Sequence, residues 1–191
     1  VRQLLMVDRV LIYHLLPDGT GIVMNESTTP DTASLVGAAF LPETFPHEYH
    51  AMFLEGRIRR IDDIEMSDLT PCHTQLLREL NVKAKLVVPL VQGNKLWGLI
   101  IAHQCHQTRH WTEFEVDLLQ QLAHQVSIAL SQSYLWQALR DSEERFRQLT
   151  ENIKQVFWMW NPQENRVVYV SPAYEQIWGC TCDSLYQDGH S

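Results

Sequence analysis

The chain has 191 residues and a mass of 22.2 kDa, room for one full domain and part of a second, since domains cluster at roughly 100–150 residues. Its formal net charge of −8, and 15 Lys and Arg residues that cluster only at Arg57, Arg59 and Arg60, argue against nucleic acid as a partner. Four cysteines, at 72, 105, 180 and 182, make no disulfide framework, and no run of about 18 apolar residues is present to span a membrane; a soluble chain in a reducing, cytoplasmic setting is expected.

The start, "VRQLLMVDRV", lacks the basic lead and cleavage site of a signal peptide. Residue 1 falls inside an apolar-periodic segment and the last residues are turn-rich, so both ends read as cuts through a longer protein, an N-terminal helix included. "DRVLIYHLLPDGTGIVMNEST" places apolar runs around Pro17-Asp18-Gly19-Thr20-Gly21 and predicts a hairpin. Residues 28–47 read as irregular, and a short helix, "HEYHAMFLEG", is closed by Gly56. "RIRRIDDIEM" reads as a short strand or extended link. Ser67 or Asp68 is the candidate cap of a helix entered through Pro71, with Leu76, Leu77 and Leu80 on one apolar face.

Two further apolar runs, Leu86 to Val91 and Leu96 to Ala102, flank Gln92-Gly93-Asn94 as a central hairpin. From Thr112 a long helix is expected, with Phe114, Leu118, Leu122, Val126 and Leu130 stepping about one turn at a time and Leu135 and Leu139 continuing the stripe. No Gly or Pro interrupts residues 112 to 161, which marks residues 112–151 as a helical linker able to join domains or pair with a second copy. "VFWMWNPQENRVVYVSPAYEQIWG" then reads as strand, turn, strand and helix start, an α/β unit that opens and does not finish. The order of elements gives the α+β class, an antiparallel sheet flanked by helices.

Chemistry concentrates at Pro71-Cys72-His73. Cys72 reads as a packed thiol with a solvated neighbour, as a nucleophile favoured by a helix N-terminus, or as part of a metal set with His103, Cys105, His106 and His110. Adjacent helical residues point about 100° apart, which speaks against a direct Cys72–His73 proton relay. The His103-x-Cys105-His106 spacing lacks a second matched pair, and no metal site is expected.

"PCHTQLLRELNVKAKLVVPL", "LWGLIIAHQCHQTRHW" and "FEVDLLQQLAHQVSIAL", in this order and with "VRQLLMVDRVLIYHLLPDGTG" before them, resemble the GAF domains of cyanobacteriochromes, phytochrome-related photoreceptors. The resemblance covers about residues 1–139. It implies a linear tetrapyrrole cofactor, phycocyanobilin or a biliverdin or phycoviolobilin type, bound as a thioether to Cys72 and stacked on by His73, with His103 near its C and D rings. The implied function is photosensory: 15Z/15E isomerisation between two coloured states, of visible to far-red, green/red or far-red type, relayed to downstream output domains of the same protein. No enzymatic turnover is implied for this segment, and the parent would be a histidine kinase or another transducer. Residues 152–191 resemble the opening of a PAS domain. A different class remains open: a GAF domain without pigment that binds a small ligand such as a cyclic nucleotide, or that dimerises.

The chain also departs from the family. Its Asp-x-Cys-Phe motif falls on Pro42-Glu43-Thr44-Phe45, without the Asp or the Cys, which implies one thioether and a fully conjugated chromophore. Glu43 is the expected substitute acid against the pyrrole N–H groups, and Lys85 the expected tuner of bilin protonation. Phe40, Thr44, Phe45, Phe53 and Trp97 are the remaining expected pocket residues. The family's propionate-binding Arg and following Tyr fall on Met52 and Phe53, leaving Arg57 or Arg59 to take over that role.

Overall fold

The computed structural model describes residues 1–42, 47–152 and 155–187. Contacts divide the chain into two compact units, residues 1–132 and 133–191, and the division falls inside one long helix.

In the first unit a helical turn, α1 (Arg2–Leu5), precedes β1 (Arg9–Leu15) and β2 (Gly21–Thr28). The predicted hairpin between them closes on Asp18, whose side chain accepts the Thr20 N–H at 2.9 Å, and on Gly19, whose φ of 86° suits glycine. The segment expected to be irregular contributes a two-residue strand, β3 (Ala39–Phe40), paired to β2. Next come α2 (His47–Leu54), β4 (Arg59–Ile61), α3 (Pro71–Glu79), β5 (Ala84–Gln92), β6 (Lys95–Gln104) and α4 (Glu113–Asn152). The six strands form one antiparallel sheet in the order β3-β2-β1-β6-β5-β4, and the class is α+β.

Two expectations about helices need correction. The cap of α3 is Thr70, whose Oγ1 accepts the His73 N–H at 3.3 Å. Ser67 and Asp68 are engaged elsewhere, Ser67 donating to the Ile64 carbonyl at 2.9 Å and Asp68 pairing with Arg59 at 2.6 Å. On α4, Phe114 is 71% exposed, and the fully buried stripe is Val116, Leu119 and Ala123, with Leu118 and Val126 flanking it. The start of α4 decides this rotation: Thr112 and Glu115 cap each other reciprocally, Arg109 pairs with Glu115, and the buried Trp111 indole donates to the Ile61 carbonyl at 3.1 Å.

Strand alternation then splits the core. Val10, Leu86, Val88, Ile100 and Ala102 pack with the α4 stripe and with Leu5 and Val7. Leu11, Tyr13, Val23, Val87 and Leu99 face the other way, with Phe53 of α2. A third small cluster, Ile61, Ile64, Leu77 and Val82, seats α3.

In the second unit the end of α4 is followed by the hairpin β7 (Trp158–Asn161) and β8 (Arg166–Val170), then α5 (Ala173–Trp178) and α6 (Cys182–Gln187). Asn161 Oδ1 caps the turn by accepting the Gln163 N–H at 2.9 Å, and Phe146 meets Tyr169 edge-on at 5.6 Å. Val167, Val170 and Ala173 form its small buried core.

Candidate functional site

The site begins with strand register. Arg9 of β1 pairs with His103 of β6, and His103 pairs with Lys85 of β5, so three polar side chains occupy one rung of the sheet. They lie on the face that carries Leu11, Tyr13, Val87, Leu99 and Ile101, and all three are buried: Arg9 is 1%, His103 4% and Lys85 6% exposed. Across this face lies α3, turning His73, Leu76, Leu77 and Leu80 inward at the i, i+3, i+4, i+7 spacing of one helical face. Tyr49 and Phe53 of α2, Phe40 of β3, Leu35, Leu69 and Arg59 complete the wall.

Between them is a cavity with about 720 Å³ of empty space, open mouth included. The walls are mostly apolar, and among the described lining residues none is Asp or Glu. The polar lining groups are Tyr13, Tyr49, Arg59, His73, Lys85 and His103.

Burial fixes their electrostatics. Lys85 Nζ lies 2.9 Å from His73 Nε2. Desolvation, reinforced by Arg59, lowers the Lys85 pKa to about 7. His73 is lowered to about 3 by desolvation first and then by the Lys85 and Arg59 charges. His103 is held well below its ordinary value by burial, with Arg9, Lys85 and His73 adding to the effect. The Tyr13 phenol is pushed up to about 12 by burial alone. Arg59 sits over the Tyr49 ring at 4.9 Å from its centre and pairs with the exposed Asp68. The arrangement favours ligands that bring acceptor oxygens or negative charge into an apolar slot.

Of the residues singled out from sequence, the fold brings Phe40, Phe53, His73, Lys85 and His103 together on this wall. Cys72 is exposed on the first turn of α3, next to His73 in the chain and not itself part of the lining. Trp97 is corrected: it packs against the α4-side core and stacks on His14 with ring centres 4.2 Å apart, because the pairing of β6 with β5 shifts there, from Leu90–Gly98 to Val91–Leu96, and the skipped Trp97 joins the face of Ile100 and Ala102 while Leu96 stays with Leu99. Glu43, Thr44 and Phe45 lie outside the described residues. Arg57 pairs with Glu55 at 3.2 Å on the surface, whereas Arg59 lines the cavity.

Sequence reasoning passed over Arg9, Tyr13 and Tyr49. A signal for the first two existed: in "RVLIYHL", Arg9 shares its parity with Leu11, Tyr13 and Leu15, so a charge sits on an inward face. Gly21 makes room for Tyr13, since a Cβ at Gly21 would overlap the Tyr13 ring.

Residues 1–130 match the GAF domain family. The chain belongs to that family. This GAF domain is 36% identical over 154 residues to a putative methyl-accepting chemotaxis protein of Synechocystis, a match that covers 81% of the chain and 15% of that protein. It resembles the blue-light-absorbing form of the Thermosynechococcus elongatus PixJ GAF domain, with a TM-score of 0.71 and 33% identity over 75% of this chain and 86% of that one. It also resembles the phycocyanobilin-bound GAF domain of a cyanobacterial phytochrome, with a TM-score of 0.65 and 30% identity over 70% and 80% of the two chains. Among the described residues, no helix of this GAF-containing chain is long and apolar enough to cross a membrane, and no group of three or more His, Cys, Asp or Glu is placed to hold a metal.

Proposed function

We propose that the first unit is a bilin-binding photosensory domain, carrying phycocyanobilin or a related linear tetrapyrrole on Cys72. The observation that carries this reading is the cavity beneath α3: a mostly apolar slot whose polar groups are donors and cations, beside an exposed thiol, in a GAF domain similar to one solved with phycocyanobilin bound. A tetrapyrrole with carbonyl and carboxylate oxygens on a flat apolar body fits that donor set.

In this reading Cys72 would hold the bilin as a thioether, its Sγ adding across a carbon–carbon double bond of the ring-A side chain. One S–C bond forms, the thiol proton passes to the adjoining carbon, and no oxidant is needed. His73, one residue on and on the cavity wall, would lie against the pyrroles, so the two need not face each other. Lys85, held near neutrality by burial, is free to gain a proton when negative charge arrives, and with Arg59 supplies cationic partners for acceptor oxygens. Glu43 is the proposed carboxylate partner of the pyrrole N–H groups. When bound, the tetrapyrrole supplies light absorption and 15Z/15E isomerisation. The residues of α4 beyond the domain would pass the resulting bias to output domains, of which residues 152–191 are the proposed beginning, a PAS domain.

Co-expression with bilin biosynthesis tests the reading. The expected result is a coloured protein whose absorption changes reversibly on illumination and which fluoresces with zinc on a denaturing gel. Cys72→Ala should lose the covalent band completely. A colourless wild type ends the pigment proposal, and an adduct that survives Cys72→Ala moves the anchor elsewhere.

A further inference from the structure

Arg9 is buried, 1% exposed, and is not part of the cavity lining. Its contacts are specific. Nη2 donates to the Ala33 carbonyl at 2.7 Å, Nη1 lies 3.4 Å from His103 Nδ1, and Nε faces Glu26 Oε2 at 3.9 Å. Glu26 is itself buried, its side chain 4% exposed, and Oε2 accepts the Leu35 N–H at 3.0 Å. Glu26, Arg9 and His103 come from β2, β1 and β6, three adjacent strands, and reach along the same face of the sheet.

A guanidinium has donors and no acceptor, and it stays protonated throughout the working range of a protein. The imidazole nitrogen that meets Arg9 must therefore present a lone pair. His103 is thereby barred from the doubly protonated form, and its one ring proton belongs on Nε2. Among the described residues no protein group accepts that Nε2–H, while His103 stands on the cavity wall.

From this geometry we propose that Arg9, held by the Ala33 carbonyl and charge-paired with Glu26, is a positioning residue that locks His103 in the Nε2–H tautomer, so that the cavity meets a fixed hydrogen-bond donor matched to a carbonyl or carboxylate oxygen of its ligand. The tautomer is a property of the protein alone; its use against a bilin oxygen rests on the photosensory reading. Lys85, next along the rung, stands on the opposite side of His103 and cannot substitute for Arg9, because its Nζ is engaged with His73 Nε2 at 2.9 Å.

The test separates the two. The histidine-labelled 191-residue chain, free of pigment, is examined by long-range proton–nitrogen correlation NMR at neutral pH. His103 is expected to show a lone-pair Nδ1 and a protonated Nε2. A protonated Nδ1, or an imidazolium, overturns the proposal whatever the pigment does. Arg9→Met should release the preference and give mixed tautomers, whereas Arg9→Lys, which keeps a cationic donor, should restore it. Should Arg9→Met not fold, Glu26→Gln serves instead, since it loosens the hold on Arg9 and should broaden or mix the His103 signals; sharp wild-type signals there would count against the anchoring role. In pigment-loaded protein, Arg9→Met should shift the absorption band relative to wild type and Arg9→Lys should bring it back. A locked tautomer in a protein that takes up no phycocyanobilin leaves Arg9 in its role and refutes only the bilin assignment.

Discussion

On the α4 side of the sheet, Val10, Leu86, Val88, Ile100 and Ala102 meet Val116, Leu119 and Ala123 in an apolar layer. On the other side the same strands present Arg9, Lys85 and His103 among Leu11, Val87 and Leu99, and the covering helices stand off far enough to leave a cavity. One face is filled by its own chain. The other buries polar groups with few protein partners, a costly arrangement unless a ligand completes it. Alternation along β1, β5 and β6 lets one set of strands serve both purposes.

Truncation should expose this contrast most strongly. Leu119→Ala, at a fully buried position of the filled face, is expected to lose roughly 2–5 kcal/mol in chemical denaturation. Leu76→Ala, on the cavity wall, should cost clearly less, because its side chain already borders open space. Equal losses would mean that the two faces are packed alike.

Gly21→Ala brings a Cβ into the Tyr13 ring, so Tyr13 or the β1–β2 pairing must shift. A loss of about 1–3 kcal/mol is expected, with weaker ligand uptake; wild-type stability and uptake together would show that the ring has room to move.

Charge offers a third contrast, read in pigment-free protein. The Lys85 pKa of about 7 lies below its ordinary 10.5, so between those values the unfolded chain binds more protons than the folded one. This group's contribution to stability is therefore full above about pH 10.5 and is lost as pH falls towards 7. Lys85→Met should flatten that slope and raise stability near pH 7 by about 1–3 kcal/mol. His73, lowered from 6.5 to about 3, works in the same sense in the acid window between those values; that limb should narrow in the Lys85 substitution, which removes one cause of the shift, and persist through desolvation, the largest cause. A slope that persists in Lys85→Met assigns it to a different group.

The smallest effect belongs to Trp97. Facing the filled side and stacked on His14, it should tolerate Trp97→Phe with no change in pigment yield or absorption band; a clear spectral shift would put its ring back in the cavity.

Much of this was legible in advance because the signals are local. The turns at Asp18-Gly19 and Gly93, the entry of α3 through Pro71 and the length of α4 follow from turn chemistry, φ preferences and the absence of breakers. The Cys72-His73 pair and His103 stood out by residue type and by resemblance to a family. Less legible were choices between near neighbours. Thr70 caps α3 because Ser67 and Asp68 find other partners, and α4 turns Val116, Leu119 and Ala123 inward because Trp111, Arg109 and Glu115 pin its first turn.

The sequence by itself determined the alternation of strands, the two hairpins of the sheet and the presence of an acidic, cysteine-poor chain with one Cys-His pair at a helix start. Only the tertiary structure decided that Arg9, His103 and Lys85 share a rung, since residues 9, 85 and 103 meet through strand register and not through spacing along the chain. It also decided that Trp97 turns away from the cavity while Tyr13 and Arg59 turn towards it. Side-chain parity says which residues share a face; pairing between distant strands says which of them touch.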